Sequence, residues 1–348
     1  MKNELKELLD KLSKNEIKEI IKYLTDLLLL NQEATCEEMK CPKCSKSKYI
    51  KFGFNGVNQR YKCICGKTFS SNYNSLFYYS KLSKEKIISF INYELSNLTL
   101  NEISFYLKAN IATCFRLRHK LYSICEKYVD KIKLNGTVEI DSAYTNINLK
   151  GTKKEKMPRK SSKRGNTSYF SGGINSGTIC IVVAADENYN YYMRIAGLGS
   201  ESFEKYKKFS KVFDNAKLLV SDSKQSIGLF ANHIHTAHDP IKASVTRDIY
   251  ETDKGNNIQI VNEFCKCIKD IIRRYHGVST RHLNGYIAFQ TVKKIFTYKY
   301  NRESIANEII KISNRERCIK TTDICSIDYP IDLKDAYWNF NYGIFAHW

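Results

Sequence analysis

The sequence predicts three parts in a row: a small cysteine-built module, an all-α module and a larger mixed α/β domain. Three observations carry this prediction. Two close cysteine pairs lie between residues 41 and 65, helical periodicity runs from Leu82 to about Asp130, and after Gly136 apolar strand runs alternate with helices. A chain of 348 residues is long enough for one large core with smaller modules beside it. Its 43% hydrophobic content excludes a disordered basic tail. Lys and Arg number 56 against 36 for Asp and Glu, a net charge of +20. A folded chain with that excess is expected to meet a polyanion, above all nucleic acid.

The opening residues, MKNELKELLD, alternate charge with leucine and lack the apolar segment and cleavage site of a signal peptide. Leu27–Leu30 and Ile179–Ala185 are too short to cross a bilayer. A cytoplasmic location with no membrane partner is expected, and in a reducing compartment clustered cysteines point to metal before disulfides. Residues 1–34 read as an N-terminal helical segment, with Leu5, Leu8, Leu9 and Leu12 and then Ile17, Ile20, Ile21 and Leu24 as a packing stripe.

Residues 35–80 read as a zinc ribbon. Cys41 and Cys44 form a C-x-x-C pair, and Cys63 and Cys65 a C-x-C pair 18 residues on. Two such pairs held apart by a hairpin meet the tetrahedral demand of one structural Zn²⁺, which substitutes for a core that about 40 residues cannot build. The short second pair leaves Cys36 open as a substitute ligand.

Residues 81–134 read as a helix-turn-helix DNA-binding region. Thr99 with Glu102 makes a capping box, and Ala109–Asn110 suits the turn. In the second helix Cys114, Leu117 and Leu121 form an inner stripe, leaving Thr113, Arg116 and Lys120 outward, able to reach phosphates and base edges.

Residues 135–300 read as the α/β domain. TVEIDSAYT, TICIVVAAD, YYMRIAG and AKLLVSD are strands, and Glu201–Phe213 is a helix between the last two. The order β-β-β-α-β is that of a ribonuclease-H-like domain. Asp141 and Asp222 each sit at the edge of an apolar strand run, where two strands can converge carboxylates on Mg²⁺. Further on, Asn262 and Lys269 are seven residues apart and share a helix face, with Lys266 and Arg273 near it. Lys150 to Arg164 is a basic loop after the first strand, with Lys153, Lys154, Arg159, Lys160, Lys163 and Arg164 as expected phosphate contacts. His233, His235 and His238 share neither a helix face nor a strand alternation and read as structural polar residues or DNA contacts near Asp222, not a metal cluster. Residues 301–348 read as a C-terminal extension with no assigned role.

From about residue 36 to 300 the chain resembles the DDE-type transposases of bacterial insertion sequences, in particular the group with an N-terminal zinc ribbon and an ISXO-type catalytic domain. The resemblance rests on Gln59-Arg-Tyr-Lys-Cys63, Cys65-Gly-Lys-Thr-Phe-Ser70, Val138-Glu-Ile-Asp141, Lys163-Arg-Gly165 and Val261-Asn262 with Lys269. Its most specific phrase is Tyr275-His-Gly-Val-Ser-Thr-Arg-His-Leu-Asn-Gly-Tyr286. It implies a set of Asp141, Asp222, Asn262 and Lys269, the first three holding two Mg²⁺ (or Mn²⁺), with Glu263 as the fallback third ligand. It implies cut-and-join chemistry on double-stranded DNA, terminal inverted repeats as the bound sites, and a homo-oligomer on DNA within the nucleoid. The alternative is a lapsed relic acting as a sequence-specific regulator. Ser142-Ala143 after the first Asp, where the group has Glu-Thr, and the neutral Asn262 keep that alternative open.

Overall fold

The computed structural model describes residues 13, 15–17, 20, 40–55, 58–73, 75–78, 80–153, 157, 173–241 and 256–337. Most of the N-terminal helical segment, Cys36, and Lys154, Arg159, Lys160, Lys163 and Arg164 lie outside the described residues. The chain divides into two compact units. One is Met1–Leu117 with Arg302–Lys320, the other Arg118–Asn301 with Thr321–Trp348. The division therefore falls inside the expected helical region, at Leu117, and not at residue 134.

In the first unit, β1 (Tyr49–Asn55), β2 (Asn58–Cys63) and β3 (Thr68–Ser70) form an antiparallel sheet. Its small core is the rings of Tyr49, Tyr61 and Phe69 beside Cys41 and Cys63. Three helices follow: α1 (Lys84–Leu95), α2 (Leu100–Leu107) and α3 (Ile111–Val129). The expected capping box is present, with Thr99 N–H donating to Glu102 and Glu102 N–H to the Thr99 hydroxyl. Lys108 ends α2 in the left-handed region, and the Asn110 side chain accepts the Ala112 N–H to start α3. Cys114, Leu117 and Leu121 are buried, as their spacing requires.

The C-terminal extension, left without a role by the sequence, has a structural one. Helix α8 (Ile305–Arg315) packs on α1, and Arg317 donates to the carbonyls of Ser71 and Tyr73. Farther on, Leu333 and Tyr337 form a small core with Leu149.

The second unit is a five-stranded sheet in the order β6-β5-β4-β7-β8, formed by β4 (Asn135–Asn146), β5 (Thr178–Asp186), β6 (Tyr191–Leu198), β7 (Asn215–Asp222) and β8 (Ala237–Ile241). β4, β5 and β6 run antiparallel, while β7 joins β4 and β8 joins β7 in parallel. The four expected strands are observed in the expected order, and β8 is an addition. Its sequence, Ala-His-Asp-Pro-Ile, has no apolar alternation, so nothing local marks it as a strand. The expected helix over 201–213 is instead a short α4 (Phe203–Lys207) and a separate 3₁₀ turn, Ser210–Phe213. Helices α5 (Gln225–His233), α6 (Gln259–Arg274) and α7 (Leu283–Lys299) complete the unit. No helix among the described residues is long and apolar enough to cross a membrane.

The turn before α7 explains the phrase Tyr275–Tyr286. Asn148 and Thr280 exchange two hydrogen bonds of 2.8 Å, tying this turn to the chain leaving β4. Gly277 makes the approach at φ +89°, and a Cβ there would stand 2.4 Å from Asn148 Nδ2. Gly277→Ala is therefore expected to destabilise the second unit by about 2 kcal/mol, from left-handed strain plus displacement of Asn148. A chemical-denaturation midpoint measured for both proteins checks it.

Candidate active site and metal centres

The four cysteines of the ribbon meet. Their Sγ atoms all lie within 4.8 Å of one another, with Cys41–Cys65 at 3.6 Å and Cys44–Cys63 at 3.5 Å. A tetrahedral Zn²⁺ with bonds of about 2.3 Å needs sulfurs about 3.8 Å apart. The C-x-C pair thus closes the quartet without Cys36. Burial works against the Cys41 thiolate, but the amide N–H groups of Cys44 and Lys43 and the neighbouring sulfurs outweigh it and bring the thiol down to about 6.

The second centre lies where β4 and β7 run side by side. β4 leaves for β5 on one flank and β7 returns on the other, so the pair marks the switch point of the sheet, where ligands of open α/β sheets bind. Glu139 pairs with Val220, and β7 ends at Asp222, two residues on. The same step along β4 reaches Asp141. Beyond it, the last third of β4 pairs with no strand on that flank among the described residues, and side chains gather in the gap.

What gathers is a set of carboxylates around one ammonium. Lys224 Nζ is 2.9 Å from Asp222 Oδ2, 3.0 Å from Glu201 Oε1 and 3.1 Å from Asp141 Oδ1. Burial opposes the charge on Lys224, but the three carboxylates outweigh it and raise the ammonium well above the ordinary lysine range. One ammonium cannot balance three carboxylates. The Asp222 carboxyl is accordingly pushed up, by burial first and by Asp141 and Glu201 in addition, against Lys224. Its Oδ1 is buried with no hydrogen-bond partner. Hard oxygen donors, excess negative charge and an unsatisfied carboxylate oxygen fit a divalent cation such as Mg²⁺.

Helix α6 is fastened to this edge. Glu139 Oε2 accepts the Val261 N–H at 3.0 Å, so Asn262 follows directly on the anchored residue, and Glu139 is two positions from Asp141 on β4. The Cys265 thiol, also on α6, is pushed up to about 12 by burial and by the charge of Asp141, against Lys269 and Lys224. Asn262, Lys266, Lys269 and Arg273 are all exposed, while Val261, Phe264, Cys265, Ile268 and Ile271 are buried, so the expected polar face exists. Arg273 lies 3.6 Å from Asp270. Glu263, the fallback ligand, instead pairs with Lys294 of α7 at 2.5 Å.

Of the other expected contacts, Arg116 and Lys153 are exposed, and Thr113 and Lys120 are half-buried on α3. The three histidines part ways: His233 meets the Phe203 ring, His235 is in a left-handed turn, and His238 Nε2 lies 2.9 Å from Ser221 Oγ. Two features carried no recognisable sequence signal. Glu201 sits in a loop of ordinary composition. The other is the outer face of the ribbon, where Phe54 (66% exposed) and Phe52 (42%) lie open and the cations of Lys62 and Arg60 stand 5.2 and 5.6 Å from the Phe52 ring.

Residues 133–301 match the family model described as the ISXO2-like transposase domain. The chain is 24% identical over 268 residues to an uncharacterized protein in transposable element ISH50 of Halobacterium salinarum, a stretch covering 74% of this chain and 85% of that protein. A pre-cleavage Mos1 transpososome is a solved structure with some likeness, at 11% identity over 61% of this chain and 80% of that one. Its TM-score of 0.18 is too low to bear on the fold. Over residues 133–301 the chain is thus similar to the ISXO2-like transposase domain, and over most of its length to the protein of transposable element ISH50.

Proposed function

We propose that this protein binds the terminal inverted repeats of its own element and cleaves and joins DNA at the Asp141–Asp222 edge. The meeting of two strand-edge carboxylates at the switch point of a transposase-family domain is the observation that carries the reading. Asp141, Asp222 and the amide oxygen of Asn262 would hold two Mg²⁺, which when bound would activate the attacking oxygen and stabilise the leaving one. Lys269, with Lys266 and Arg273, lays cations along the exposed face of α6 to hold the DNA backbone. Lys153, with Lys154, Arg159, Lys160, Lys163 and Arg164 of the same basic run, would add phosphate contacts.

The ribbon and the helices α1 to α3 act as the end-binding part, in a helix-turn-helix manner. Thr113, Arg116 and Lys120 face the duplex, and Arg60, Lys62 and the open rings of Phe52 and Phe54 add a second contact. Affinity then falls steeply with salt, as neutralised phosphates release their counterions. Joining two ends to one target calls for a homo-oligomer on DNA.

The test is strand transfer in Mg²⁺ with a duplex ending in the inverted repeat that flanks the gene. Wild type should give joined products, and Asp141→Ala and Asn262→Ala should lower their rate by at least about 10²–10³-fold while keeping end binding. Glu263→Ala should stay within a few-fold of wild type. Tight end binding by wild type without any cleavage or joining would replace this reading with a DNA-binding regulator.

A further inference from the structure

The proposed site is short of charge. Asp141 and Asp222 supply two negative charges and Asn262 none, against two divalent cations. A third carboxylate stands at the same edge. Glu201 is bound to the same ammonium as Asp141 and Asp222, and its side chain is 11% exposed. It is also held from behind. Tyr144 O–H donates to Glu201 Oε2 at 2.8 Å, and Tyr206, itself joined to Ser142 at 2.7 Å, lies 3.4 Å from the same oxygen. The loop that delivers it is fixed by Lys205, whose ammonium donates to the carbonyls of Leu198 and Ser200. Gly197 leaves room for that lysine, since a Cβ there would stand 2.9 Å from Lys205 Cε. A carboxylate this enclosed, on a loop this constrained, is costly unless a cation meets it.

Resting on the reading above, we propose that Glu201 is the third carboxylate of the cation site and that the Lys224 ammonium holds the cation's place until metal binds. Lys224 keeps three like charges together in the metal-free chain. It lies two residues past Asp222, at the N-cap of α5 with no side-chain capping bond of its own, and is 34% exposed, so its long side chain can swing to solvent. The displaced ammonium then stands beside the edge where a DNA phosphate would lie.

Mn²⁺ binding to the full-length, zinc-loaded chain tests this without DNA, with free Mn²⁺ read by electron paramagnetic resonance. Glu201→Gln keeps an acceptor for Tyr144 and removes the charge, and should weaken Mn²⁺ about tenfold. Glu201→Asp should weaken it less. Lys224→Met should tighten Mn²⁺ by roughly threefold or more, because no ammonium has to leave. It should also melt at lower temperature than wild type in chelator and regain the difference when Mn²⁺ is added. Wild-type Mn²⁺ affinity in both Glu201 variants, or weaker affinity in Lys224→Met, overturns the inference. Absence of Mn²⁺ binding by both wild type and Lys224→Met overturns it too, together with the metal-dependent reading. Mn²⁺ binding that depends on Glu201 and Asp141, in a protein that joins no DNA, leaves the inference standing and removes only strand transfer.

Discussion

Stripping zinc from the full-length protein is expected to unfold residues 41–70 and to abolish binding to the element's ends. The three strands of the ribbon bury little besides Cys41, Cys63, Phe69 and parts of Tyr49 and Tyr61, too few apolar groups to offset the entropy of ordering about 30 residues. Structural zinc contributes about 10–16 kcal/mol of apparent free energy in modules of this size, so the fold of the ribbon and its metal stand or fall together. One zinc per chain should be measured in wild type and none in Cys44→Ser. Chelation should open the ribbon to protease while the five-stranded sheet of the second unit stays resistant. A ribbon that resists protease after zinc is gone would show that the rings, not the metal, hold it.

A fall from pH 7.5 to 5 is expected to cost the second unit about 3 kcal/mol through two histidines. The rings of His119 on α3 and His282 before α7 lie 4.3 Å apart. Burial first, then the charges of His282 and Arg118, push His119 down to about 3. Burial and Arg281 push His282 down to about 4. An unfolded histidine takes its proton near pH 6.5, whereas these two refuse it in the folded state. Above pH 6.5 both states hold them neutral, so proton linkage contributes nothing there. Stability is lost as the pH falls from there toward 4 and 3, because only the unfolded chain gains protons. At pH 5 that is about 2 kcal/mol for His119, and somewhat less for half-buried His282, whose charge is partly screened. His119→Phe, which keeps a ring against Tyr286, should recover about 2 kcal/mol at pH 5 and little at pH 7.5. Equal slopes of stability against pH for the two proteins would refute this assignment.

Much of the architecture was legible before any coordinates. The capping box of α2, the turn at Ala109–Asn110, four strands in order and the amphipathic face of α6 follow from local spacing, because period and capping act within a few residues. The cysteine quartet was legible for a related reason, since a metal fixes the number and type of its ligands. β8 and the division of the chain at Leu117 were not. A polar five-residue strand gains its identity from pairing with β7, and a boundary between units follows where contacts fall, neither of which a local pattern records.

The same line runs through the candidate site. The sequence alone determined that Asp141 and Asp222 end apolar strand runs and that Asn262 and Lys269 share a helix face. Only the tertiary structure decided that Glu263 is taken by Lys294, that Glu139 anchors α6, and that Glu201 and Lys224 complete the carboxylate edge. Periodicity says which side of its own element a residue faces. Which charges then share a pocket depends on loops that bring Asp141 and Glu201, 60 residues apart, to 3.1 and 3.0 Å from one ammonium, and loop reach leaves no periodic mark.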